Sequence, residues 1–270
     1  MLINAGFEIA YDCPQPTPML LMLSTHPSRD SDIRGPNLLQ LDPPVSQRTY
    51  YDSFGNRCTR VVAPAGRLTL FTNFNVQDSG LPDAVEPWAR QHPVEQLPDD
   101  MLVFLLGSRY CDTDRLTNTA WSLFGHLQPG WGMVQAICDF THNHITFGYP
   151  YADPTRTASG AFEQRVGVCR DFAHLAVTLC RCMNIPARYC TGYLGDIGIP
   201  PVDAPMDFSA WFEVWLGDRW YTFDARHNTP RIGRILMARG RDATDVAIST
   251  TFGPNILAKF QVVTDEVIGG

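Results

Sequence analysis

No run of basic residues appears in this chain of 270 residues, and acidic side chains outnumber basic ones, 28 Asp and Glu against 21 Lys and Arg, for a net charge of −7. Tracking a phosphate backbone or docking on an anionic bilayer needs a clustered positive face, so neither nucleic acid nor membrane is expected as a partner. Long apolar runs are missing too. Met19-Leu-Leu-Met-Leu23 is far too short to span a bilayer, and the opening residues, Met1 to Glu8, carry no basic stretch ahead of an apolar one. The expectation is a soluble cytoplasmic protein.

A disulfide rhythm is also lacking. Eight cysteines (13, 58, 111, 138, 169, 180, 182 and 190) are scattered through a chain long enough to build its own core, so reduced thiols are expected. Cys138, His142 and His144 offer metal-ligand types, but no second Cys or His pair follows at zinc-binding spacing. The histidines there read as structural, and neither metal nor cofactor is expected.

The chain that is present changes texture near residue 98. Before it, short extended candidates separated by turn residues and dotted with proline point to an all-β, sandwich-like region over residues 1–98. Leu2 to Ala10, Pro18 to Ser24, a hairpin around Ser53 to Asn56, and Arg67 to Val76 are its strands. Leu81 to Pro98 reads as a connector, and nothing in this region carries catalytic chemistry. Residues 99–270 read as an α+β unit: helices over Leu116 to Leu127 and Met133 to His142, then strands at Ala187 to Leu194, Phe208 to Leu216, Arg219 to Asp224, Val246 to Thr251 and Ile256 to Thr264.

Between these helices and strands lies Gly167-Val-Cys169-Arg170-Asp171-Phe172. Phe172, Leu175, Ala176, Leu179 and Met183 recur at helical spacing, so a helix begins at or just before Cys169 and stops ahead of Pro186. A thiol in a first turn feels the positive end of the helix dipole, which favours thiolate. Arg165 and Arg170 add positive potential and Asp171 partly offsets it. An inert buried cysteine is the alternative.

Gly167-Val-Cys169-Arg-Asp171-Phe, followed by Ala210-Trp211-Phe-Glu213-Val and Trp220-Tyr-Thr-Phe223-Asp224, resembles the transglutaminase-like superfamily, most nearly its bacterial branch labelled cysteine proteases. The resemblance covers roughly residues 116–253, and the β-rich first third is similar to that branch's N-terminal region. It implies a papain-like α+β core, with a cysteine-bearing helix packed on an antiparallel sheet, Cys169 as nucleophile and Asp224 as the carboxylate that orients a base. The family's base is a histidine directly before Ala-Trp, a position held here by Ser209.

With Gly217-Asp218 as a two-residue turn, Leu216 faces Arg219, Trp211 faces Asp224 and Ser209 faces Arg226. His227 follows, and in a regular ladder it would point to the other face; a bulge or bend after Asp224 would return it. With such a bend His227 is the candidate replacement base, Ser209 shaping the space beside it; without one, His227 is a surface-loop histidine. His174, five residues along the nucleophile's own helix, is turned away from Cys169. Three functions stand open: hydrolysis of a peptide or protein amide through a thioester, acyl transfer to an amine through the same intermediate, and a non-catalytic binding module. Assembly state leaves no trace in the sequence.

Overall fold

The structure, a computed structural model, describes residues 1–200 and 205–267. Two sheets form the sandwich. In the first, Leu2–Cys13 lies between Gly66–Gln77 and Ile256–Glu266, all antiparallel, with the short pieces Ile33–Arg34 and Gln40–Asp42 on the far edge. The second runs Ser249–Thr251, Thr17–Leu21, Arg57–Ala63, Gln47–Tyr51. Strict alternation along Gly66–Gln77 buries Leu68, Leu70, Phe74 and Val76, and carries Thr72 inward with them.

Ile256–Glu266 and Ser249–Thr251 pair with sandwich strands, so the boundary at residue 98 does not hold for the end of the chain: after forming the α+β unit, the chain returns to complete both sandwich sheets. The apolar interior crosses that boundary as well. Ile3, Phe7 and Phe74 pack in one cluster with Tyr193, Phe208 and Ile235. Phe208 lies 6.0 Å from Phe7 and 5.1 Å from Tyr193, ring centroid to ring centroid.

The α+β unit has a four-stranded antiparallel sheet in the order Arg219–Phe223, Ser209–Leu216, Ala187–Tyr193, Ile235–Gly240. The last of these strands was not expected from the sequence. Among the described residues four α-helices accompany the sheet: α1 (Thr113–Phe124), α2 (Trp131–His144), α3 (Ala158–Gln164) and α4 (Cys169–Cys182). α4 is central. Phe172, Leu175, Ala176 and Leu179 share a core with Phe212, Val214 and Leu216 of the sheet and with Leu116, Ala120, Val134 and Ile137 of α1 and α2. Surrounded on nearly every side, α4 is held rigidly, which fixes the position of its first residue. Among the described residues no helix is long and apolar enough to cross a membrane.

Candidate active site

Cys169 opens α4, as its spacing predicts. Gly167 is required two residues earlier because a Cβ there would lie 2.6 Å from Asp171 Cβ. Asp171 turns back over the helix start: its Oδ2 accepts the Val168 N–H at 2.8 Å and meets Arg156 Nη1 at 3.2 Å. The acid is thus used to hold the loop ahead of the helix, and burial raises its carboxyl despite these donors.

Seven cysteines are buried; Cys169 is partly exposed. Its titration departs from the dipole argument. Crowding at the helix start pushes the thiol up to about 11, and the chief opposing influence is Arg226, with a backbone hydrogen bond from Ala210 adding to it. Desolvation outweighs Arg226 and the Ala210 bond, with Asp207 and Asp224 adding to it, so the neutral thiol is the favoured form. Arg165 is an exposed cap of α3 with positive φ, while Arg170 bonds to the Asp153 carbonyl and faces Asp171. Arg226, not those two, supplies the cation, and its guanidinium lies 3.9 Å from the Phe147 ring centroid.

The hairpin register holds as expected from Leu216↔Arg219 to Phe212↔Phe223, and there the ladder ends. Asp224 leaves the strand, residues 225–227 form one helical turn, and Asn228 N–H closes it on the Asp224 carbonyl at 2.7 Å. Asn228 takes positive φ (52°), a conformation asparagine tolerates, to leave the turn. This turn, rather than a β-bulge, brings His227 back beside Asp224: His227 Nδ1 donates to Oδ2 at 2.8 Å, and the N–H groups of Arg226 and His227 both donate to Oδ1 at 3.0 Å.

Asp224 is buried, which alone would raise its carboxyl. The Arg234 guanidinium and the His227 contacts more than offset this and hold it well below the usual carboxylate range. Arg234 Nη2 donates to Oδ2 at 3.0 Å, while its Nε donates to both oxygens of Asp83 at 3.1 and 2.9 Å. Asp83 belongs to the stretch read as a bare connector. It is anchored by its own N–H on the Arg231 carbonyl and by the Arg231 N–H on its carboxylate, both at 2.9 Å. The series His227–Asp224–Arg234–Asp83 closes between residues 151 positions apart, Arg234 and Asp83, and no local pattern announces either as a member.

Ser209 is buried, and its carbonyl accepts Thr191 Oγ1 at 3.1 Å. The next residue, Ala210, packs with Ala173 and Tyr189 beside Cys169. Cys138 sits in the core. His142 Nδ1 donates to the Arg226 carbonyl at 2.9 Å and steadies the turn carrying His227, and His144 Nε2 donates to the Phe162 carbonyl at 2.7 Å between stacked Phe140 and Phe162. These are structural roles. His174 is fully enclosed, stacked on Tyr110 at 5.0 Å, with Nε2 accepting the Ala243 N–H at 3.1 Å; burial pushes it down to about 3.

Residues 120–225 match the family model of the transglutaminase-like superfamily. The whole fold superposes on the crystal structure of "a Putative Cysteine Protease from Cytophaga hutchinsonii" with a TM-score of 0.85 and 28% identity, covering 100% of this chain and 92% of that one. Uncharacterized protein Rv2569c of Mycobacterium tuberculosis is 28% identical over 233 residues, 77% of this chain and 73% of its own length. Uncharacterized protein ML0607 of Mycobacterium leprae is 38% identical over 94 residues, 32% of each chain, so the match spans about a third of that relative. Residues 120–225 thus carry the transglutaminase-like core, within a fold shared with the Cytophaga hutchinsonii neighbour.

Proposed function

We propose that the chain is a cysteine-dependent hydrolase of peptide or protein amides, with Cys169 as nucleophile, His227 as base and Asp224 as the group that orients it. One observation carries this reading: Nδ1 of His227 is committed to a buried, ionised carboxylate at 2.8 Å, which leaves Nε2 as the basic nitrogen. The neighbour from Cytophaga hutchinsonii, described as "a Putative Cysteine Protease", supports the same class.

A neutral thiol suits general-base activation at the moment of attack. His227 Nε2 takes the S–H proton as sulfur adds to the amide carbon, and the imidazolium passes that proton to the leaving amine as the C–N bond breaks. Water then adds to the thioester, giving up a proton to His227, and the C–S bond breaks to regenerate the thiol. The Cys169 N–H, first in α4 and without a helix carbonyl to bond, is the oxyanion donor.

Incubation with a glutamine-containing peptide tests this, with mass spectrometry of the acyl-enzyme at Cys169 and ammonia release measured with and without added amine. Acylation at Cys169, with ammonia release unaffected by amine, is the expected result. Incorporation of the amine would favour acyl transfer. The raised thiol and Ser209 at the family's histidine position favour a second reading, a binding module without turnover. Absence of acylation in both this chain and Ser209→His would establish it.

A further inference from the structure

Behind Asp224, where the sandwich meets the catalytic sheet, a cavity of about 320 Å³ is lined by Arg29, Arg231, Arg234 and Arg239 together with Asp78, Asp83 and Glu213. The carboxylates are engaged: Asp78 with Arg29 at 3.2 Å, Asp83 with Arg234 and the Arg231 N–H, Glu213 with Arg188 at 2.6 Å. The guanidinium groups are not fully engaged. Arg29 Nε meets the Asp32 carboxylate at 3.0 Å, but among the described residues Arg231 Nε and Arg234 Nη1 are buried donors without a hydrogen-bond acceptor, and Arg231 as a whole is only 4% exposed.

Buried donors on a cation are costly to leave without an acceptor. Single waters would satisfy them one at a time, but would not relieve the crowding of like charges. Burial and Arg234 together lower Arg231, and burial and Arg188 lower Arg239. A multivalent anion answers both needs, because one tetrahedral group presents several acceptors to guanidinium groups converging from different directions. We infer that this cavity is a binding site for a phosphate-class oxyanion, either free inorganic phosphate or sulfate or the phosphate group of a small monoester.

Calorimetric titration of the full chain with inorganic phosphate, at ionic strength held constant with chloride, tests the site. Sulfate and glycerol phosphate serve as further ligands and separate the free ion from the esterified one. A saturable one-site isotherm and a raised thermal midpoint are expected. Arg239→Ala removes a cavity arginine that forms no ion pair among the described residues, and it should weaken phosphate binding by about tenfold or more, the loss of one charge-assisted contact. Arg231→Lys, which keeps the charge but removes the Nε donor, should weaken binding likewise and serves in place of the first variant should that one fold poorly. An effect reproduced by chloride, no saturable heat, or unchanged affinity in these variants would overturn the inference.

Discussion

The surroundings of Cys169 and of Asp224 are built on opposite principles. On the Cys169 side, burial dominates: the thiol is packed near Ala173, Tyr189 and Ala210 and held neutral, with Arg226 as the main opposing charge. On the Asp224 side, polar contacts dominate: the buried carboxylate takes bonds from His227, two backbone N–H groups and Arg234, and stays ionised. Both groups are desolvated, so burial alone does not decide charge state; the number of donors aimed at the group does. The protein concentrates its preorganised polar contacts around Asp224 and His227 and leaves the Cys169 thiol with few.

The sharpest challenge to that contrast is removal of the nucleophile. Cys169→Ala should abolish acylation and reduce amide turnover by about 10⁴-fold or more while leaving thermal stability near that of the parent. Next comes the base. His227→Ala should lower turnover by roughly 10²–10⁴-fold, the usual span for a general base, with circular dichroism unchanged. Turnover unaffected by that change would remove His227 from the chemistry. The resting thiol offers a finer check: with a pKa of about 11, alkylation of Cys169 by iodoacetamide should be slow at pH 7 and climb steadily through pH 10. Rapid alkylation below pH 8 would mean that an imidazolium holds a thiolate there.

Histidine extends the comparison, since His174 belongs to the buried, neutral side. The unfolded chain takes up its proton near pH 6.5, whereas the folded chain resists until about 3. Its contribution is therefore complete above 6.5 and drains away as pH falls, by about 2 kcal/mol at pH 5. Urea midpoints measured from pH 7 to 4.5 should show this loss, and His174→Gln should flatten it. The smallest effect is expected from Asp83→Asn, which loosens Arg234 without touching Asp224: a fall in turnover of about tenfold, with restoration in Asp83→Glu marking a charge effect.

Much of this was legible where chemistry is local. The apolar spacing from Phe172 to Met183 and the tight passage at Gly167 announced α4, and Gly217-Asp218 fixed the hairpin register through Phe223. The same arithmetic put His227 on the other face, and the bend needed to return it is a helical turn after Asp224. Other features left no periodic mark. Ile235–Gly240 has small, apolar and charged residues all drawn inside or half inside, so it lacks the alternation of a one-sided strand. α3 is a short run containing Ser159 and Gly160, both poor helix formers, and depends on Thr157 accepting the Gly160 N–H. Arg165 and Arg170 were assigned a task that Arg226 performs, because sequence proximity says little about which guanidinium faces a given sulfur.

Asp83 has a consequence for how kinship is judged. The segment that matches the transglutaminase-like model, residues 120–225, contains Cys169 and Asp224 but ends before His227 and Arg234 and begins well after Asp83. A homologue compared over that window alone would count as intact with half of the apparatus gone. Transplanting the window into another scaffold would carry Cys169 and Asp224 across and strand the partners of Asp224 behind.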